Sequence, residues 1–317
     1  MDNRICAVFS SDSNYVKIMS VAIVSLFETN KSVKEIVVYC LLYNVSDDQK
    51  KEVLNLGDKY GRRIVIVDAK QYCDEFRFWE QNEDSRYVRL ILDKIVTREK
   101  IVLYFDCDLI INDKLTPLMN LNMEGVPIAA VLDTCRIDAR REAKISELDK
   151  YFNSGVLVIN LEYWKNNDYY NKFRQYKKWN SDKGIYRDQR ILNGVIGNKA
   201  LIIEPKYNLT PEIYHYTSQQ IQKLCGINTF YSDDALNNAR ENPVVVHFAG
   251  RSIDRPWYVN SEHEFTKKYR QYMEMNNFTK FDLYTDKKTS IIKWKIKRQI
   301  PFAIVLCVQN MLHSKLR

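Results

Sequence analysis

Hydrophobic positions near the start of the chain form short continuous runs and helical stripes in alternation. Residues 4–9, 35–43 and 64–67 are mostly apolar runs with the length of buried strands. From Tyr15 to Leu26 apolar residues recur at helical spacing, and Ser46 with Gln49 forms a capping box for a helix that stops at Gly61. This β-α-β-α order predicts an α/β fold with a parallel, doubly wound sheet.

The same alternation continues through the rest of the first 250 residues. It predicts strands that end at Asp106, Asp133, Asn160 and Pro205, and helices at residues 87–95, 164–179 and 187–193. Residues 206–242 are expected to form loops and short helices, and residues 244–250 a last buried strand. No G-x-G-x-x-G or P-loop pattern occurs, so dinucleotide-binding and P-loop functions lose their main support.

Two carboxylates follow the apolar run at residues 101–105. Because side chains alternate along an extended chain, Asp106 and Asp108 leave it on the same side. A hard divalent cation that also contacts phosphates is the usual counter-charge at such a strand end. A calcium loop is excluded because Ile111 and Pro117 stand where it needs Gly and Glu. A pair of solvated acids is the alternative to a metal site.

The last predicted strand, at residues 244–250, contains a histidine. His247 follows three valines, as the two carboxylates follow their own apolar run. A lone histidine at a strand end is more often a hydrogen-bonded structural residue than a metal ligand. Both interpretations are open at this point.

Composition indicates one large ordered core, or a core plus an appendage, in a reducing compartment. The 317 residues are 45% hydrophobic, with nine glycines and seven prolines. No apolar run reaches the ~18 residues of a membrane span, and the N-terminus lacks the apolar core and cleavage site of a signal peptide. The seven cysteines are scattered without a C-x-x-C pattern, which favours reduced thiols in a cytosol.

The net charge of +8 is concentrated at the C-terminus. Residues 280–317 carry nine Lys or Arg and two Asp, a balance of +7, so residues 1–279 carry +1. This distribution disfavours a nucleic-acid-binding face. Basic residues at 287–298 interleave with Ile and Trp and precede the apolar run 301–308, which is typical of a segment at a membrane surface. The alternative is a helix packed on the catalytic domain with a solvated basic face.

Six stretches together carry a resemblance to a known family. They stand in the family's order at residues 9–15 (FSSDSNY), 87–90 (YVRL), 102–108 (VLYFDCD), 151–160 (YFNSGVLVIN), 188–193 (DQRILN) and 247–250 (HFAG). On these motifs residues 4–257 resemble the family 8 glycosyltransferases, which include bacterial lipopolysaccharide galactosyl- and glucosyltransferases and, more distantly, glycogenin. The resemblance implies a GT-A catalytic domain at residues 1–257, with a mainly parallel sheet flanked by helices. Residues 258–317 would then be a small basic, helical C-terminal segment.

The resemblance also implies an activity. It is the retaining transfer of galactose or glucose from a UDP-sugar, with Mn²⁺ or alternatively Mg²⁺, to a cell-surface glycan acceptor such as lipopolysaccharide or another lipid-linked saccharide. The expected location is the cytoplasm of a bacterium, peripheral on the inner face of the membrane, with no nucleic-acid partner. Two other classes stay open: a catalytically silent sugar-nucleotide or glycan-binding protein of the same fold, and, on charge alone, a nucleic-acid-binding protein.

Residue by residue, the resemblance implies a metal site and a donor site. The metal ligands would be Asp106, Asp108 and His247, a mixture of oxygen and imidazole that suits Mn²⁺ better than Ca²⁺. The catalytic group would be Arg89, Asp133, Asp188 and Gln189. The residues that bind the donor would be Ser11, Asp12, Asn14, Arg89, Asp106, Cys107, Asp108, Asn153, Ser154, Gly250 and Arg255.

Several details of the site stay open in the sequence. Retention requires either a nucleophile on the sugar, for which Asp188 and Gln189 are the nearest candidates, or attack on the face that the leaving group occupies. Asp188 has an alternative role as an acid at a helix N-terminus. This sequence differs from the family's Gly-x-x-Lys-Pro-Trp. Two residues are inserted after Gly250, and Arg255 replaces the lysine. The Cys107 side chain is expected to point into the core.

Overall fold

A computed structural model describes the protein at residues 4–72, 85–135, 137–142, 145–146, 150–179, 188–250, 252–276, 278 and 282–285, and at Phe302, Ile304 and Leu306. The predicted basic stretch 287–298, most of the apolar run 301–308 and the predicted helix start at Arg187 lie outside these residues.

The described residues form nine strands and twelve α-helical segments. The strands are β1 (Arg4–Asp12), β2 (Glu35–Tyr43), β3 (Arg63–Asp68), β4 (Ile101–Phe105), β5 (Leu109–Ile111), β6 (Ile128–Leu132), β7 (Phe152–Asn160), β8 (Leu201–Ile202) and β9 (Val245–His247). The helices are α1 (Val16–Thr29), α2 (Asp47–Tyr60), α3 (Leu92–Ile95), α4 (Thr116–Met119), α5 (Ile137–Glu142), α6 (Leu161–Asn166), α7 (Tyr169–Trp179), α8 (Asp188–Ile196), α9 (Pro211–His215), α10 (Ser218–Cys225), α11 (Asp233–Glu241) and α12 (Thr266–Met275).

Seven strands form the main sheet, in the order β3-β2-β1-β4-β7-β6-β8. The pairs among β3, β2, β1 and β4 are parallel, as is β6 with β8, but β7 runs antiparallel to both of its neighbours. The sheet is therefore mainly parallel, as predicted, and among the described strands the one that runs against its neighbours is β7. The amide of Asp133 donates to the carbonyl of Tyr151 at 2.9 Å, so the chain leaves β6 and enters β7 at the same edge of the sheet.

Both faces of the sheet are covered, as continuous apolar strands require. In β2, Val38 and Cys40 pack into one buried cluster while Val37 and Tyr39 pack into the other. The first cluster includes the apolar face of α1, and the second includes Leu92 of α3. The sequence could not assign these faces, because nearly every side chain of β2 is apolar.

The last predicted strand is shorter than expected and belongs to a second sheet. Only Val245–His247 is extended, and it pairs antiparallel with β5, with His247 opposite Leu109. This two-stranded sheet sits directly after the carboxyl end of β4. The loop between β4 and β5 therefore lies beside the end of β9.

Predicted helices agree in part with the structure. The capping box of Ser46 and Gln49 and the left-handed Gly61 (φ 59°) bound α2, as predicted. The predicted helix 164–179 is interrupted, because Asp168 adopts φ 51° between α6 and α7. Residues 85–91 form a tighter 3₁₀ helix before α3, and residues 206–242 contain short helices, as expected.

Two further features bear on the sequence expectations. The described cysteines are free thiols: Cys6, Cys40, Cys107, Cys135 and Cys225. In the part of the chain that is described, no helix has both the length and the apolar character needed to cross a bilayer.

Candidate active site

Two carboxylates and one imidazole converge at the carboxyl end of β4. Asp106 follows β4, Asp108 precedes β5, and His247 is the last residue of β9. The Nε2 atom of His247 lies 3.1 Å from Oδ1 of Asp108 and 3.9 Å from Oδ2 of Asp106. One ligand atom from each residue falls within 4.8 Å of the others. The structure thus brings together the three residues that the sequence assigned to the metal.

This group fits a divalent cation. Ligand atoms about 2.1 Å from an octahedral ion stand about 3 Å apart at neighbouring vertices, close to the Asp108–His247 separation. Two carboxylate oxygens with one imidazole nitrogen form a donor set suited to Mn²⁺. Three ligands also leave open positions, which substrate oxygens would fill.

His247 is held in place by a residue that the sequence analysis did not identify. Its Nδ1 lies 3.0 Å from Oδ1 of the fully buried Asn208, which leaves Nε2 to face the carboxylates. The amide nitrogen of Asn208 in turn donates to Oδ1 of Asn153 at 2.8 Å. Asn208 lies in the Tyr- and Asn-rich stretch 206–242, where the sequence offers no periodicity to single it out.

Arg89 links the metal group to the rest of the site. Its guanidinium donates to Oδ1 of Asp106 at 2.8 Å, pairs with Oδ2 of Asp188 at 2.9 Å, and donates to the carbonyl of Ser154 at 2.8 Å. Its carbon Cζ lies 4.5 Å from the centre of the Tyr104 ring. One oxygen of Asp106 is therefore held by Arg89, and the other faces His247.

The remaining catalytic candidates form one hydrogen-bonded chain. Oε1 of Gln189 accepts from the amide of Ser154 at 2.9 Å, and its Nε2 donates to Oδ2 of Asp133 in a short bond. Asn153 donates to the other oxygen of Asp133 at 3.3 Å. Asn208 extends this chain to His247 at one end, and Arg89 extends it from Ser154 to Asp106 at the other. Such a chain fixes rotamers before any ligand arrives.

A glycine lets β7 approach the metal group. The carbonyl of Gly155 accepts from the amide of Asp106 at 2.8 Å. A Cβ atom at Gly155 would lie 2.2 Å from Cε1 of His247 and 2.9 Å from Oδ2 of Asp106. Gly155 is therefore the second residue of the site to which the sequence analysis gave no role, although it stands within the quoted motif at residues 151–160.

Burial and charge act against each other in this group. Burial disfavours the charge on His247, but Asp108 and Asp106 outweigh it and raise the pKa of the imidazole. Burial would raise the pKa of Asp108, yet His247 and Arg255 together lower it. Burial likewise opposes the charge of Arg89, and Asp106 and Asp188 raise its pKa. Arg89 therefore stays a buried cation.

The first βα turn presents backbone and side-chain polar groups at the same edge. Oδ1 of Asp12 accepts from the amides of Asn14 at 2.9 Å and Tyr15 at 3.0 Å, which fixes the turn. Asn14 is exposed, whereas Ser11 is buried and its hydroxyl donates to the carbonyl of Asp12. Asp12 therefore fixes the turn and Asn14 is open to solvent, whereas the buried Ser11 side chain bonds to the backbone.

Cys107 faces the core, as predicted. It is 6% exposed, and its thiol donates to the carbonyl of Ser10 at 3.1 Å. Burial, followed by the charges of Asp106 and Asp108, raises the pKa of the thiol well above its usual value.

The loop after β9, which differs from the family's Gly-x-x-Lys-Pro-Trp, keeps a cation near the metal group. Nε of Arg255 donates to the carbonyl of Gly250 at 3.0 Å, and its guanidinium lies 5.7 Å from the centre of the Trp257 ring. After burial and His247, the charge of Arg255 contributes to the lowered pKa of Asp108. The inserted residues therefore still bring an arginine toward the carboxylates.

The chain is similar to proteins of one known family. The family model described as "Glycosyl transferase family 8" matches residues 6–261. General stress protein A of Bacillus subtilis is 25% identical over 280 residues, covering 87% of this chain and 94% of that protein. A lipopolysaccharide 1,2-glucosyltransferase of Escherichia coli is 28% identical over 261 residues, covering 78% and 71%.

Solved structures share the fold. The galactosyltransferase LgtC in complex with donor and acceptor sugar analogues superimposes with a TM-score of 0.70 at 21% identity, covering 87% of this chain and 98% of that one. The mainly parallel, mixed sheet flanked by helices is thus of the GT-A type, which confirms the predicted fold class.

Proposed function

The chain belongs to glycosyltransferase family 8, and from this premise we propose that it is a Mn²⁺-dependent, retaining hexosyltransferase. It would move galactose or glucose from a UDP-sugar to a cell-surface glycan acceptor such as lipopolysaccharide or another lipid-linked saccharide. The observation that carries the proposal is the convergence of Asp106, Asp108 and His247 beside Arg89. The names of the relatives, a lipopolysaccharide glucosyltransferase and a galactosyltransferase, support the substrate class.

The metal group and two arginines suit the departure of a diphosphate. A bound Mn²⁺ would neutralise the charge that develops on the leaving UDP. Arg89 is ion-paired with Asp106, and the charge of Arg255 lowers the pKa of Asp108, so both arginines would add fixed positive charge around the phosphates. Arg89 is buried and ion-paired with both Asp106 and Asp188. Its guanidinium is therefore already in place and need not reorganise when the sugar leaves.

The contacts of Asp188 and Gln189 bear on how configuration is retained. Asp188 is buried and ion-paired with Arg89, so its carboxylate is occupied in holding that cation. Gln189 is bonded through both ends of its amide, to Ser154 and to Asp133. Both side chains are therefore held by partners within the protein. This supports attack on the face that the leaving group occupies, with both residues orienting the hexose.

The C-terminal segment would bring the enzyme to its acceptor at a membrane surface. The ring of Phe302 packs 5.9 Å from that of Tyr216, and Ile304 is 50% exposed. Each basic residue near an anionic leaflet contributes about 1 kcal/mol. Full-length protein with Lys293, Lys295 and Lys297 changed to Glu should bind anionic vesicles more weakly than wild type. Equal sedimentation with vesicles would contradict membrane docking.

Release of UDP tests the function. Wild-type protein is incubated with a panel of UDP-sugars, with Mn²⁺ or with chelator, beside Asp108→Asn and the matched control Asp113→Asn. Asp113 is an exposed aspartate outside the metal group. We expect metal-dependent turnover of one UDP-hexose, lost in Asp108→Asn and kept in Asp113→Asn.

The other outcomes separate the alternatives. If no UDP is released with any donor and acceptor tried, while UDP and Mn²⁺ still raise the melting temperature, the sugar-nucleotide-binding protein is favoured. Absence of UDP binding would refute the glycosyltransferase proposal altogether.

A further inference from the structure

Residues 282–285, a short strap within the predicted C-terminal segment, lie against the side of the catalytic domain where the UDP-sugar is proposed to bind. The amide of Tyr284 donates to the carbonyl of Trp257 at 2.8 Å, and its carbonyl accepts from the amide of Val259 at 3.0 Å. These two bonds form a parallel bridge between Tyr258 and Tyr284. The rings of the same two residues meet edge-on with centroids 5.6 Å apart.

The strap also reaches the first βα turn. The hydroxyl of Tyr284 lies 3.4 Å from the carbonyl of Asn14, at the long end of a hydrogen bond. Burial is the first cause that raises the pKa of Tyr284, and the charges of Tyr258 and Asp12 add to it. Tyr284 therefore stands between the turn that holds Asp12 and the loop that holds Arg255 and Trp257.

A groove lies between these two loops. It has a volume of about 620 Å³ and is lined by Ser13, Asn14 and Lys17 on one side and by Tyr258 and residues 282–285 on the other. On the far side of its loop, Tyr258 is held by Arg270, which donates to its carbonyl at 2.7 Å. The loop is thus anchored to α12, and Tyr284 connects it across the groove to the turn.

We propose that Tyr284 is a positioning residue that clasps the two donor-binding loops, the turn 12–15 and the loop 252–259, in their binding geometry. The inference rests on the proposed function, because it assigns both loops to the UDP-sugar. Residues 282–285 then serve the donor site although they lie in the predicted C-terminal segment. Ordering the loops in advance lowers the entropy that the nucleotide must supply on binding.

Tyr284→Ala and Tyr284→Pro in the full-length chain test the clasp. The first removes the ring and hydroxyl, and the second also removes the amide that bonds Trp257. The matched control is Tyr60→Ala, which removes a partly buried tyrosine that packs 5.3 Å from the Phe27 ring at the opposite edge of the sheet.

The expected result separates positioning from stability. For Tyr284→Ala we expect about three- to tenfold weaker UDP binding and a matching rise in the donor KM, with kcat within about twofold, and a larger effect for proline. Tyr60→Ala should lower the melting temperature but leave the UDP Kd unchanged. In the ligand-free protein, amide exchange at residues 12–17 should be faster in Tyr284→Ala than in Tyr60→Ala.

Two failures are distinguishable. If wild type binds UDP and both Tyr284 variants bind it equally well, with unchanged exchange at residues 12–17, the clasp is refuted and the proposed function stands. If wild type binds no UDP, the proposed function fails and the inference falls with it, even where the exchange result shows that Tyr284 holds the turn.

Discussion

Replacing Gly155 with alanine should disable the metal group. The added Cβ would lie 2.2 Å from Cε1 and 2.8 Å from Nδ1 of His247, whereas non-bonded carbons rest about 3.5 Å apart. The imidazole must therefore move by about 1 Å or more. It cannot do so freely, because its Nδ1 is bonded to the buried Asn208 and Oδ2 of Asp106 lies on the same side.

The size of the effect follows from this displacement. Metal–ligand distances tolerate about 0.2 Å, so a shift of 1 Å removes His247 from coordination. Loss of a well-placed partner costs about 10- to 100-fold in metal affinity, and misplacement by 1 Å costs about 100-fold in turnover. We expect Mn²⁺ affinity to fall by at least about tenfold and UDP release by about 100-fold.

Calorimetric titration with Mn²⁺ in the presence of UDP, together with UDP release, measures both quantities. The matched control is Gly125→Ala, since Gly125 has φ 68° and no atom within 4 Å of its added Cβ. That change costs about 1–2 kcal/mol of stability through its backbone without touching the site. Wild-type Mn²⁺ affinity in Gly155→Ala would refute the proposed approach of β7 to the metal group.

Three further predictions concern single side chains. Asn208→Ala leaves Nδ1 of His247 without its acceptor and should weaken Mn²⁺ binding by about 10- to 100-fold; an unchanged titration would contradict this role. Arg89→Lys keeps the charge but not the three-way contact with Asp106, Asp188 and Ser154, so kcat for UDP release should fall by about 100-fold or more; wild-type kcat would contradict it. Burial raises the pKa of Asp93, and in the described structure its Oδ1 lacks a hydrogen-bond partner, so Asp93→Asn should add about 1 kcal/mol of stability at pH 7. Because the protonated acid is already neutral, this gain in urea unfolding should vanish below the carboxyl's ordinary pKa, and a gain that persists there would refute the argument.

Elements with strong local signals were predictable from the sequence. The capping box and Gly61 bounded α2 correctly, because caps are local hydrogen-bonding and backbone requirements. The apolar run before Asp106 identified β4 as a buried strand. In each case, residues within a few positions of one another determine the conformation.

The direction of β7 and the role of Asn208 depend on contacts between distant segments. An apolar strand such as residues 152–160 has the same hydrophobic pattern whichever way it runs, so the sequence did not reveal its antiparallel pairing. Asn208 orients His247 from 39 positions away, and no local motif marks it. The helix interruption at Asp168 was missed because no glycine or proline stands in residues 164–179 to mark it.

The pairing of β5 with β9 makes the metal group a late product of folding. His247 is separated from Asp108 by 139 positions, and the chain between them must close a long loop before imidazole meets carboxylate. During synthesis the two carboxylates emerge well before residue 247 of 317. A cation that binds the assembled group would stabilise only the finished chain by mass action. Melting temperature should therefore depend on Mn²⁺ in the intact protein, and partial chains that end before β9 should lack that dependence.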